Sequence, residues 1–173
     1  MNYQSDFNED KAIELILYIA NKCDNLYNLL KIIYFADKMH LHDYGRLMCG
    51  DNYVLLPHGP VPSKTYDIIK DVRDNRINPI PEKLQSSFEI EGQYIIKPKR
   101  KANTEYLSKS EIECLDDAIN KYGKMGFQEL KDLSHKEPDV SEVEKSFDEN
   151  IYIEIIAKYF DNGELLLEYL NCN

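Results

Sequence analysis

Apolar residues recur along the chain at helical spacing, and polar breaks mark where the elements end. Ala12, Ile13, Ile16, Leu17 and Ala20 repeat at three and four, which predicts a helix over 7–22. Asp6 with Glu9 three residues on forms an acidic variant of the capping box. After a break at Asp24, Asn25 is suited to cap a second helix over 26–41. Leu26, Leu29, Leu30, Ile33 and Tyr34 define one face there, while Ile32, Phe35, Ala36 and Met39 spread apolar character around the cylinder. A helix apolar on most sides is central to its domain, which singles out its polar members Lys31, Asp37, Lys38 and His40. Gly45 ends this element.

The next segment, Tyr53 to Leu56, is a strand candidate stopped by Pro57, and the proline-rich run His58 to Ser63 is expected to be irregular. Helical spacing resumes at Tyr66, Ile68, Ile69 and Val72, opened by Pro62 or Ser63. Residues 76–86 form a linker with Pro79 and Pro81. Phe88–Ile90 and Tyr94–Ile96 flank Glu91-Gly92-Gln93 as a hairpin. Ser108 with Glu111 is a capping box for a helix reaching Tyr122, and a short helix follows Gly126, over 127–133. From Glu137 to Glu149, six carboxylates face the single Lys145, so a flexible connection is expected. Helical spacing returns over 151–160 and breaks at Asp161-Asn162-Gly163. The pattern describes one mostly helical domain over 1–163 with an apolar tail over 164–173, able to pack as strand or helix.

Composition narrows the function classes. The 173 residues suit one domain with its own core. With 31 acidic residues against 21 basic ones, the net charge of −10 argues against direct nucleic-acid binding or an anionic membrane; it is compatible with a basic partner, though a solvated acidic surface is the simpler reading. The one basic run, Lys97 with Lys99 to Lys101, is short and reads as a solvated loop. No apolar stretch exceeds Leu15–Ala20, too short to span a bilayer, and the N-terminus lacks the basic-then-apolar order of a signal peptide. Cys23, Cys49, Cys114 and Cys172 have no CxxC spacing, so reduced thiols and a cytoplasmic location are expected.

Catalytic motifs are missing from the sequence. His40, His42 and Asp43 lie together, with Asp37, His58 and His135 as further conceivable ligands, but no HExxH or HxHxDH spacing occurs. Hydrogen bonds from His40 and His58 to backbone or carboxylate are the favoured alternative. Neither GxSxG nor a phosphate-cradling glycine motif is present. The chain is therefore expected to be a non-enzyme without cofactor or metal. Its most unusual segment, Pro57 to Ser63, holds three prolines and a glycine in a stiff, preshaped loop, which either serves recognition, because little entropy is lost on binding, or simply turns a strand into a helix.

Two segments together carry a family resemblance. One is Leu29-Leu30-Lys31-Ile32-Ile33-Tyr34-Phe35-Ala36-Asp37-Lys38-Met39-His40-Leu41 with Tyr44-Gly45 behind it. The other is Gly50-Asp51, Tyr53 and His58-Gly59-Pro60-Val61-Pro62-Ser63, followed by Tyr66-Asp67. They resemble the SocA-like antitoxin family, or Panacea domain, which includes phage-associated bacterial proteins. Ser134-His135-Lys136 is similar to the family's closing motif. His58 departs from the aromatic residue more usual before the GPVP run, and a Trp usual after the closing His is absent, Val140 being the nearest apolar residue.

The resemblance implies an α+β fold, mainly helical, with a small antiparallel sheet, for which the sequence offers three short strand candidates. It also implies a binding protein that neutralises a toxin encoded nearby, or an adaptor that delivers a partner to a protease. The flexible acidic stretch and the apolar tail motivate the adaptor. On this basis the partner-binding or motif residues are Lys31, Tyr34, Asp37, His40, Tyr44, Asp51, His58, Gly59, Pro60, Val61, Pro62, Tyr66, Asp67 and His135. Tyr34 and Pro60 are expected to form the fold, and His58 and Asp67 to reach solvent.

Overall fold

The structure is a computed structural model that describes residues 6–172. Residues 1–5 and Asn173, which fall within the expected domain and tail, lie outside the described residues. The fold is α+β and mainly helical. The helices are α1 (Glu9–Ala20), α2 (Leu26–Tyr44), α3 (Ser63–Asp74), α4 (Glu82–Gln85), α5 (Lys109–Tyr122), α6 (Phe127–His135), α7 (Pro138–Glu144), α8 (Ile153–Lys158) and α9 (Gly163–Cys172). The strands are β1 (Tyr53–Leu56), β2 (Gly59–Pro62), β3 (Phe88–Glu91), β4 (Ile95–Pro98) and β5 (Asn150–Ile151). They form one antiparallel sheet in the order β2-β1-β5 and one antiparallel hairpin, β3-β4.

Helix α2 is the axis of the domain, as its all-round apolar sequence predicts. Leu29, Ile32, Ile33, Tyr34 and Ala36 have no exposed surface. Asn25 caps it by accepting from the Asn28 N–H at 3.1 Å, and Gly45 ends it in the left-handed region at φ 71°. Phe35 stacks on Tyr122 of α5 at 4.2 Å. The Asn28 amide donates to the carbonyls of Tyr122 and Met125 at 3.0 Å, fixing the turn between α5 and α6. The predicted capping box of Ser108 and Glu111 is present. Helix α1 is instead capped by Asn8, whose side chain accepts from the Lys11 N–H, so the Asp6–Glu9 box does not form.

Three expectations are corrected. The run after His58 is not irregular: β2 pairs with β1 from Gly59↔Leu56 to Pro62↔Tyr53. Pro60 and Pro62 sit at alternate positions whose missing N–H groups face away from β1, and an edge strand tolerates this. The acidic stretch 137–149 is not a flexible link. It contains α7, in which Asp139 and Val140 are fully buried, and β5, which pairs with β1, follows it directly. Ile151, expected to open a helix, belongs to β5, and α8 starts at Ile153. The tail forms α9, which packs on α8 with Leu166 and Leu170 buried.

Candidate functional site

The polar residues of α2 lie on successive sides of the helix, and each receives a different segment. The first is Lys31. It is 1% exposed, and its ammonium donates to the Pro60 carbonyl at 2.7 Å, the outward-facing acceptor of β2. Burial alone lowers its pKa from 10.5 to about 7, since no carboxylate among the described residues pairs with it. Gly59, at φ 101°, makes this approach possible. A Cβ there would stand 2.6 Å from the Ser134 hydroxyl and 3.1 Å from the Lys31 ammonium. The glycine of the proline-rich run and the serine of the closing motif are thus two halves of one contact.

Asp51 positions the rest of the run. Its carboxylate accepts from the N–H groups of Asn52 at 2.7 Å, Lys64 at 2.9 Å and Thr65 at 2.7 Å. Pro62, the cap residue of α3, has no side-chain donor or acceptor, so Asp51 caps that helix from a distance. Asp37 is fully buried and accepts from the Met48 N–H and the Tyr53 hydroxyl, both at 2.7 Å. Burial outweighs these bonds and raises its pKa to about 7.

One turn away, the Tyr34 hydroxyl donates to Asp139 at 2.6 Å, and the Lys38 ammonium donates to both Glu137 and Asp139 at 2.6 Å. Desolvation, followed by the Asp139 charge, holds the Tyr34 phenol well above its usual pKa. This network pins α7 to α2. His40, fully buried, sets one ring nitrogen 2.9 Å from the Arg46 carbonyl and the other 3.1 Å from the Ser110 hydroxyl, with Tyr44 stacked on it.

A groove of about 250 Å³ opens between the first turns of α2, the β1–β2 turn and α3. Leu26, Leu30, Leu56 and Val61 supply apolar wall, and Tyr27, Tyr66, Tyr94 and His58 stand around it. Tyr27 is fastened by its hydroxyl, which donates to the His58 carbonyl at 2.9 Å, and by Phe127 against its ring. The β3–β4 hairpin brings Tyr94 in, because its carbonyl accepts the Leu26 N–H at 2.8 Å. Arg73 reaches the groove from α3 and is held to Asp74.

Of the predicted residues, Lys31, His58, Gly59, Val61 and Tyr66 meet at this groove, and Pro60 supplies the carbonyl beneath it. Tyr34, Asp37, Asp51 and His40 are buried within the fold, and Pro62 joins strand to helix. Tyr44 is half exposed at the far end of α2. Asp67 is partly exposed and outside the groove, bonded to Lys70 and Arg76, which lower its pKa. His135 bonds to Glu144 and lines a separate cleft with Leu55 and Val143; its neighbour Ser134 faces the groove floor. Sequence reasoning missed Tyr27, Arg73 and Tyr94 at the groove and Glu137 and Asp139 in the α7 network. For Ser134 a signal existed, in the motif where only the histidine was chosen.

Among the described residues, no group of three or more His, Cys, Asp or Glu could hold a metal, and no helix is long and apolar enough to cross a membrane. His42, one of the conceivable ligands, instead bridges Asp43 at 2.5 Å and Asp161 at 2.7 Å.

These features define a mainly helical α+β module with a preformed apolar groove over a buried cation. The family model described as antitoxin SocA-like, Panacea domain, matches residues 29–139, well over half of the chain, and the chain belongs to that family. The match runs from Leu29, just after the groove residues Leu26 and Tyr27, to Asp139, the partner of Tyr34. No curated protein and no solved structure matches the chain.

Proposed function

We propose that this protein is an antitoxin that neutralises a partner toxin by direct, non-enzymatic binding, with the groove between α2, the β1–β2 turn and α3 as its contact face. The observation that carries this reading is where the family motif converges. Lys31, His58, Gly59, Val61 and Tyr66 all reach one apolar recess, and family membership implies a toxin partner. The groove walls are set by Asp51, Tyr27 and the Gly59–Ser134 contact, so little ordering is required on binding. The chain's net charge of −10 favours encounter with a basic protein.

The adaptor reading is second to this one, because most of the acidic stretch is folded as α7 and the tail forms a helix, α9, with Leu166 and Leu170 buried.

The test is co-expression with the product of the neighbouring gene in a growth assay. Wild type restores growth and co-purifies with that product. Leu56→Glu, a charge placed on the groove wall, lowers rescue at least tenfold with the fold retained by circular dichroism. Full rescue by Leu56→Glu, or rescue without a complex, refutes the groove as the contact face.

A further inference from the structure

The charged side chains that line the groove, Lys31 and Arg73, are both basic, and Arg73 is paired with Asp74 beside it. This is against the trend of a chain in which acids outnumber bases by 31 to 21. The Lys31 ammonium is the deepest of these groups. It lies between the Tyr27 ring, 5.0 Å away, and the Pro60 carbonyl, 2.7 Å away. An ammonium has three N–H donors, and Pro60 satisfies one of them. A buried cation without a counter-charge is unfavourable, and an incoming anion with a lone pair relieves both deficits.

Arg73, the other cation at the recess, is already paired with Asp74. Beside the Lys31 ammonium the recess has apolar walls from Leu26, Leu30, Leu56 and Val61, which suits an occupant that joins one anionic group to one apolar group. A polypeptide running through would leave its backbone N–H and C=O groups unpaired against those walls. A chain end avoids this, because it brings in one apolar side chain and one carboxylate.

We propose that the groove captures the C-terminal residue of the partner polypeptide, with its apolar side chain against Leu30 and Val61 and its carboxylate on the Lys31 ammonium. This rests on the groove being the partner-binding face. It adds a requirement that face alone does not carry: a free carboxylate on an apolar terminal residue. Gly59 belongs to the same device, since a Cβ there would stand 3.1 Å from the ammonium and crowd the place the carboxylate would occupy.

The probe is a fluorescein-labelled hexapeptide of Gly and Ser ending in Leu, titrated against the full chain by fluorescence anisotropy. Its C-terminal amide and an amidated hexapeptide with an internal Leu-Glu pair are titrated in parallel. The free acid is expected to bind at least tenfold tighter than either, the scale of one hydrogen bond to a charged group. Lys31→Met, checked for folding by urea denaturation, is expected to erase the difference. Equal binding of acid and amide overturns the proposal, as does equal binding of the internal Leu-Glu peptide or a preference that survives Lys31→Met. The growth assay separates the two readings. If Leu56→Glu fails to rescue while Lys31→Met rescues fully, the contact face stands and carboxylate capture falls. If both rescue fully, the face itself is refuted.

Discussion

Replacing Lys31 with Met should make this protein more stable at neutral and acidic pH. The side chain keeps its length and apolar stem and loses its charge. In the folded chain the ammonium is buried without a counter-charge, and its pKa falls from 10.5 to about 7. Between these values the unfolded chain holds a proton that the folded chain does not, so stability rises with pH across that window. Below pH 7 the full penalty applies, and at ~1.4 kcal/mol per pH unit it amounts to roughly 5 kcal/mol. Methionine removes it but leaves the Pro60 carbonyl without its donor, a loss of about 1–3 kcal/mol. The net gain at pH 6 is therefore about 2–4 kcal/mol. Near pH 10 it vanishes or reverses, because wild-type lysine is then neutral in the fold at little expense. Urea denaturation of both proteins from pH 6 to 10 measures this directly. With a slope of about 1–3 kcal/mol/M, the midpoints should differ by roughly 1–2 M at pH 6 and converge by pH 10. Parallel pH profiles, or a Met variant less stable at pH 6, would show that Lys31 has a counter-charge or solvent access and would refute the reasoning.

Asp37 titrates in the opposite sense. Its pKa rises from 3.8 to about 7, so the folded chain holds the extra proton and stability falls as pH rises between those values. Against Asp37→Asn as reference, wild type should lose about 4 kcal/mol from pH 4 to 8 by chemical denaturation. Gly59→Ala should cost about 2–4 kcal/mol, from the residue's φ of 101° together with the Cβ position 2.6 Å from the Ser134 hydroxyl. Adding Ser134→Ala should recover the steric part alone, so a double-mutant cycle by thermal melting reads a non-additive pair. Asp51→Ala uncaps α3 and should destabilise by about 1–3 kcal/mol, with increased amide exchange at Lys64 and Thr65. Lys38→Met leaves Asp139 buried without a counter-charge, held only by the Tyr34 hydroxyl, and should cost about 3 kcal/mol, seen as early amide exchange in α7.

What was legible in the sequence is what local physics decides. Asn25, Gly45 and the Ser108–Glu111 box mark helix ends because a cap involves residues a few positions apart. The apolar girth of α2 announces its central place for the same kind of reason. The failures lie where a distant partner decides. The prolines of β2 appeared to forbid a strand, yet their N–H deficit falls on a sheet edge that only β1 pairing defines. The acidity of 137–149 suggested solvation, but Lys38, about 100 positions earlier, supplies a counter-charge to Glu137 and Asp139. At the groove, Tyr94 arrives through a hairpin register and Arg73 through the orientation of α3, neither of which leaves a periodic signature.

The polar residues of α2 explain how so few motif positions can specify both a fold and a face. A helix apolar on all sides has no preferred rotation in a core, since non-directional burial rewards many packings alike. Lys31, Tyr34, Asp37, Lys38 and His40 break that degeneracy. Each accepts its own partners: β2 at Lys31, α7 at Tyr34 and Lys38, β1 and Met48 at Asp37, and Arg46 with Ser110 at His40. A wrong rotation would leave a buried charge or donor unpaired, which is costlier than the net gain of any single correct bond. Four of these residues are spent on the interior. Lys31 alone is left incompletely paired, and it is the one beside the groove. The groove rim, in contrast, is built from residues on which the fold depends little, such as His58 and Tyr94. Rim substitutions can therefore alter which partner is gripped while the interior polar network keeps the scaffold constant.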